Sequence, residues 1–139
     1  MNLKLMLEVR RRVLADPALV DMRTFYRTVH TGHNYTTAGC IACHTIIAKT
    51  GQPRHYDEPD VVAAVMLELD HKEADALFQF HYEKTGIYDD LYERLKDHSN
   101  GTPEYALIVA HAIDRCIIRN TPPESLPLAL EAAHVPVTI

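Results

Sequence analysis

Thr102-Pro103-Glu104 opens an uninterrupted amphipathic run near the C-terminal end of the sequence. Threonine can cap a helix, proline suits its first turn, and an acid favours the positive end of its dipole. Ala106, Val109, Ala110, Ile113 and Ile117 then recur on one face through about Arg119, with Leu107 and Ile108 widening it. So broad an apolar stripe has to be surrounded, which predicts a long central helix around which the rest of the chain is arranged.

The rest is cut into short pieces. Asp16-Pro17, Lys49-Thr50-Gly51, Gly86, Asn100-Gly101 and the prolines 122, 123 and 127 interrupt every other periodic segment. In the first helix Leu3, Met6, Leu7, Val13 and Leu14 oppose Lys4, Glu8, Arg11 and Arg12, and this amphipathic face is a candidate for self-association. Residues 18–35 (ALVDMRTFYRTVHTGHNY) read as an irregular or short-helical connection, with Leu19, Met22, Phe25 and Tyr26 beneath the core. A second helix capped by Thr36 or Thr37 carries Cys40, Ile41, Ala42, Ile46 and Ile47. A third follows Pro59 (DVVAAVMLEL), and Asp70-His71-Lys72-Glu73 resembles a capping box that starts the fourth, with Ala74, Leu77 and Phe78. Leu91 and Leu95 suggest a short fifth helix and residues 128–134 a last one, while the final VPVTI is too short for a sheet and is a candidate flexible tail. The expectation is an all-α single domain over residues 1–139, a compact orthogonal array of six or seven helices.

With 47% hydrophobic and 24% charged residues, the 139-residue chain can build one sizeable core. Its net charge of −5 offers nucleic acid no global attraction, although Arg10-Arg11-Arg12 is locally basic. No apolar run reaches the roughly 18 residues of a membrane span. At the N-terminus the charges fall inside the apolar run instead of before it, unlike a secretory signal. A cytoplasmic location with reduced thiols at Cys40, Cys43 and Cys116 is the expectation.

Thr37 to His44, TAGCIACH, contains Cys-x-x-Cys-His, the string to which c-type haem is attached. Attachment normally accompanies export, and no second axial ligand is evident, so haem is not expected. Zinc has more raw material, because His30, His33, Cys40, Cys43, His44 and His55 lie within 26 residues. Cys40, Cys43, His44, His30 and His33 are therefore the candidate metal ligands, although the second half of a tetrahedral site is missing from the spacing. A redox pair is a third reading, with helix-terminal amides stabilising a thiolate at Cys40 and Cys43 resolving it. The βαβ pattern of thioredoxins is absent, and Ile47 stands where an alkylhydroperoxidase-type motif would carry its histidine. The fourth reading is packing: Ala38, Gly39, Cys40, Ala42 and Cys43 are small where the second helix passes close to another helix. His111 and Asp114 are an i,i+3 pair that can face a pocket together. No Ser-His-Asp order, phosphate-binding glycine loop or His-Glu-x-x-His motif is legible.

Asp16-Pro17, Asp21-Met22, TAGCIACH, LELDHKEADALF (Leu67 to Phe78) and AHAIDRCI (Ala110 to Ile117) together resemble a loose group of small uncharacterised bacterial and phage-encoded helical proteins. In that group an Asp-Met turn precedes a Cys-Gly-Thr-x-x-Cys-Ile-Ala-Gly-[His/Trp] helix. Leu-Gly-Leu-x-x-x-Glu-Ala-x-x-Leu-Phe follows, and the last helix carries Ala-x-x-Ile-Asp. The resemblance spans roughly residues 14 to 118. Cys40 takes the place of the second cysteine, Cys43 stands where glycine is usual, and Leu67-Glu68-Leu69 replaces Leu-Gly-Leu. It implies a helical fold, makes the Cys-x-x-Cys-His string incidental and carries no activity. The functional expectation is a non-enzymatic interaction or accessory protein of phage or mobile-element type, acting on a protein partner or on itself without a cofactor. The alternative is a zinc-binding or thiol-redox protein built on Cys40, Cys43 and the nearby histidines.

Overall fold

A computed structural model of the chain describes residues 1–32, 34–79 and 86–127, leaving aside the side chains of 31 and 34. The helix expected over 128–134, the VPVTI segment and His33 lie outside the described residues. Six α-helices are present among those described: α1 (Leu3–Ala15), α2 (Ile41–Thr50), α3 (Pro59–Leu67), α4 (His71–Phe78), α5 (Asp89–Leu95) and α6 (Pro103–Asn120). None of the described helices is long and apolar enough to cross a membrane.

The central helix is where its sequence places it. Thr102 Oγ1 accepts from the Tyr105 amide, and α6 buries Ala106, Ile108, Val109, Ile113 and Ile117, among others, against α1, α4 and α5. Leu107 is the member of the run that points away, being about half exposed. α1 turns a slightly different face inward from the one expected. Leu5, Met6, Val9 and Val13 are buried, Leu3 and Leu7 are half-buried and Leu14 is on the surface, so part of the expected stripe packs into the chain's own core. The basic run is largely absorbed too: Arg10 Nε donates to buried Asp114 on α6 at 2.5 Å, and Arg11 pairs with Glu8 one turn back.

The helical fold is as expected, and the reading that differs is the connection before α2, expected to be irregular or short-helical. Arg27–Thr31 and Asn34–Ala38 form an antiparallel hairpin, β1 and β2, registered from Arg27 opposite Ala38 to Thr31 opposite Asn34. Thr28, Val29, Tyr35, Thr36 and Thr37 are β-branched or aromatic and favour extended backbone, and Gly32 supplies the positive φ (65°) that a two-residue turn requires. Apolar alternation is missing because β1 is mostly exposed, while in β2 Tyr35 is exposed, Thr36 and Thr37 are half-buried and only Ala38, where the strand meets the rest of the chain, is buried. Thr36 and Thr37 are consequently strand residues opposite Val29 and Thr28, and the helix cap position falls to Cys40.

Asp70 caps α4 by accepting the Glu73 amide at 2.9 Å, which is half of the expected capping box. The other half is absent, since the Glu73 carboxylate is buried and turned toward Tyr88, Arg119 and Asn120. Three buried acids thereby fasten distant parts of the chain. Asp114 joins α6 to α1, Glu73 joins α4 to α6 and to the residue before α5, and Asp21 joins the hairpin to the turn before α6.

Candidate functional site

The Cys-x-x-Cys-His string begins in extended backbone, not in a helix. Gly39 N–H donates to the Leu19 carbonyl at 3.0 Å, the Gly39 carbonyl accepts from Asp21 N–H at 2.9 Å, and Cys40 N–H donates to the Thr24 carbonyl at 2.9 Å. The stretch 19–24 thus wraps residues 39 and 40, and α2 starts immediately afterwards. This places Cys40 at the N-cap and Cys43 and His44 in the first turn and a half, all three buried. The small residues are demanded by a close approach, as expected, but the neighbour is different. A Cβ on Gly39 would fall 2.1 Å from the Phe25 carbonyl oxygen and 2.6 Å from the Cys43 Cβ, so the contact is with the loop leading into β1 and with α2 itself, not with another helix.

Burial governs the chemistry of both thiols. It pushes Cys40 up to about 11 even though the amides of Cys43 and Ala42 at the helix start pull the other way. It pushes Cys43 up to about 12, with Cys40 beside it adding to the rise. At Cys40 desolvation thus outweighs the helix-terminal amides and favours the thiol over the thiolate that a redox pair would use. Cys116 lies apart on α6, also buried and also pushed up to about 12. Thiol labelling of the native protein is expected to be slow at all three cysteines and to accelerate together at the denaturant concentration that unfolds the chain. Prompt labelling of Cys40 or Cys43 in native conditions would contradict the burial.

His44 hydrogen-bonds through Nε2 to the Leu19 carbonyl at 2.9 Å; a carbonyl only accepts, so Nε2 carries the proton. Nδ1 is buried with no hydrogen-bond partner among the described residues, and the same holds for Arg12 Nε. Both residues line a cleft of about 240 Å³ with Arg11 and Asp16. Burial lowers the His44 pKa, with the Arg12 charge acting in the same direction and the Leu19 and Gly39 carbonyls opposing. A buried neutral histidine has a definite pH signature. Its folded pKa is below its unfolded value of about 6.5, so the full contribution to stability is present above that pH and is lost as pH falls toward the folded value. Between pH 7 and 5 the wild-type protein is expected to lose stability with a slope of up to about 1.4 kcal/mol per pH unit from this group. His44→Gln should be less stable at pH 7 and flatter below it. His111, half buried and shifted the same way by burial and by Arg94, supplies the residual slope. Urea titrations at a series of pH values measure both, and an unchanged slope in His44→Gln would show that the imidazole is not buried neutral.

Of the other candidate ligands, two histidines make aromatic contacts. His30 is exposed on β1, its ring in edge contact with Tyr35 at 4.6 Å, and His55 makes a similar contact with Tyr26 at 5.0 Å. His33 lies outside the described residues, and among those described no group of three or more His, Cys, Asp or Glu is placed to hold a metal ion. Asp114 is buried and bound by Arg10, and its charge acts on the half-buried His111 one turn before it.

A constellation that motif reading passed over lies around Asp21. This buried carboxylate accepts from the Arg23 amide at 3.0 Å, from Arg23 Nε at 3.1 Å, from Arg27 Nε at 3.1 Å and from Asn100 Nδ2 at 3.2 Å. Burial works to raise its pKa, but the Arg23 hydrogen bonds and the charges of Arg23 and Arg27 more than offset this and hold it below the usual carboxylate range. The available signal was an acid between Val20 and Met22 with arginines two and six residues on. Nothing local in the sequence announces Asn100. No protein-family model matches the chain, and neither a curated protein nor a solved structure gives a significant match.

Proposed function

We propose that the chain is a non-enzymatic helical interaction protein, an accessory factor of phage or mobile-element type that works in the cytoplasm by presenting a helix to another protein. The observation that carries this reading is α3. Residues 61–67 (VVAAVML) are apolar on every side, and a helix of that kind is ordinarily covered all round. Ala63, Ala64 and Leu67 are buried by the chain itself, whereas Val61 and Val65, one turn apart, are 39% and 71% exposed. A partner laying an apolar surface across this ridge would complete the burial, each fully covered valine contributing about 1.5 kcal/mol or more.

The test is a comparison of wild-type protein with Val61→Ser/Val65→Ser. Both positions are on the surface, so circular dichroism and the melting transition should be unchanged. Light scattering across a concentration series reads self-association, and cross-linking in the native host extract reads a separate partner. A complex formed by the wild type and lost in the double variant supports the reading. A strict monomer whose cross-linked products are identical in both proteins sinks it. The competing zinc or thiol-redox reading predicts stoichiometric metal by elemental analysis, or a Cys40–Cys43 pair that labels promptly in the native state; either result would put it ahead.

A further inference from the structure

We infer that the partner of α3 is a basic amphipathic segment of another protein, a helix whose apolar stripe crosses Val61 and Val65 while lysines or arginines beyond either end of the stripe meet Glu58 and Glu68. The proposal rests on α3 as the presented helix and adds the charge of what meets it. The two valines are exposed, with Val62 and Met66 half-buried beside them. Glu58, at the N-cap, lies three residues before Val61, and Glu68, at the C-cap, lies three residues after Val65. One helical turn in each direction brings both acids close to the line of the valines. The ridge therefore ends in a carboxylate on either side, and both glutamates are exposed.

Charge along the ridge has one sign. Residues 56–70 hold Asp57, Glu58, Asp60, Glu68 and Asp70 and no lysine, arginine or histidine. Among the described residues none of these five acids is in an ion pair. The bases next along the chain are Arg54 and His55 before the segment and His71 and Lys72 after it, and His71 pairs with Asp75. Five acids against Arg54 and Lys72 leave this stretch acidic. Lys4 and Lys49, on the two helices that pack against α3, line a separate cleft with Glu8. The N-terminus lies at the far end of α3, where Asn2 N–H donates to the Leu67 carbonyl at 2.6 Å. The same acids disfavour a second copy of the chain as the partner. Two such ridges crossing on a two-fold axis set Glu58 against Glu68 when antiparallel, and each acid against its own copy when parallel. Like charges brought together at a contact weaken it, whereas a basic partner gains from carboxylates that have no internal ion pair to give up.

A displayed library of amphipathic helical peptides tests this on the full chain. Its apolar stripe is fixed, and the positions one turn beyond each end vary among Lys, Glu, Gln and Ser. Selection on the wild-type chain, with Val61→Ser/Val65→Ser as the counter-selection, should enrich lysine at both ends. The selected peptide, followed by fluorescence anisotropy, should bind at least about tenfold more weakly to Glu58→Lys/Glu68→Lys, and added salt should weaken it as well. Both glutamates are exposed and the Glu58 side chain makes no capping hydrogen bond, so circular dichroism of this variant should match the wild type. Valine-dependent peptides without a lysine preference, or a charge-reversed chain that binds them as tightly, overturn the basic partner while leaving the ridge as a docking surface. A valine-dependent dimer seen by light scattering does the same. Failure to select any valine-dependent peptide overturns the ridge and its partner together.

Discussion

Replacing Gly39 with alanine is expected to cost about 3 kcal/mol of stability, the upper end of what overpacking a well-filled interior produces. The cause is space and not backbone conformation, since Gly39 is not among the positive-φ glycines. The added methyl would sit 2.1 Å from the Phe25 carbonyl oxygen, which is backbone and cannot rotate aside, and 2.6 Å from the Cys43 Cβ at the start of α2. Relief requires the segment before β1 to separate from residue 39, and that segment is bound by the Asp21 amide to the Gly39 carbonyl and by the Cys40 amide to the Thr24 carbonyl. Gly51→Ala provides the contrast. Gly51 ends α2 at φ 84° with nothing near its would-be Cβ, so alanine there meets only left-handed strain of roughly 1–2 kcal/mol. Urea denaturation should show a lower midpoint and unchanged slope for both, with the larger loss at Gly39. Cys43→Ala added to Gly39→Ala removes the nearby sulfur but leaves the Phe25 contact, so most of the loss should remain. A Gly39→Ala protein no less stable than Gly51→Ala would mean that the strand and the loop do not approach so closely.

This region also shows where sequence reading succeeds and where it stops. Elements governed by local periodicity and punctuation were legible: α6 begins at the Thr102 cap and runs one residue beyond Arg119, α2 ends at Gly51, and α4 begins at Asp70. The hairpin was not, because β1 is mostly exposed and in β2 the half-buried residues are the threonines 36 and 37, with Ala38 alone buried, so the apolar alternation that marks a half-buried strand is missing. The chemistry of TAGCIACH was hidden for a related reason. Cys-x-x-Cys-His fixes the spacing of its groups along the chain, whereas thiol reactivity depends on what surrounds them, and here that is supplied by residues 19–25. The buried acids lie further out of reach. Asp21 with Arg23 and Arg27 is a local pattern, but Asn100 is 79 residues away, and nothing near Asp114 points to Arg10, 104 residues distant.

Glu73→Ala should be comparably damaging, about 3 kcal/mol, because it removes the acceptor on which buried donors converge. Periodicity made Glu73 the returning half of a capping box; its position at the third residue of α4 instead turns the carboxylate inward. Oε1 accepts from the Tyr88 hydroxyl at 2.9 Å, from Arg119 Nε at 3.2 Å and from Asn120 Nδ2 at 3.3 Å. These partners do not weigh equally. The Arg119 side chain is about half exposed and can turn to water when the acid is lost, so its ion pair contributes little. Asn120 keeps a second acceptor, the Cys116 carbonyl at 2.8 Å. Tyr88 is fully buried, its phenol held protonated by burial, with the Glu73 carboxylate reinforcing this. Loss of the carboxylate removes the charged acceptor of that buried hydroxyl and leaves it the far weaker Cys116 sulfur, and most of the destabilisation comes from there. Glu73→Gln retains an oxygen for Tyr88 and should cost only about 1 kcal/mol. A double-mutant cycle with Tyr88→Phe isolates the bond: Tyr88→Phe should destabilise the wild type yet be neutral or stabilising in Glu73→Ala, giving a coupling of about 1–2 kcal/mol. Equal effects of Tyr88→Phe in both backgrounds would show that the hydroxyl does not depend on Glu73, and the cost of Glu73→Ala would then have to come from Arg119 and Asn120 at the end of α6.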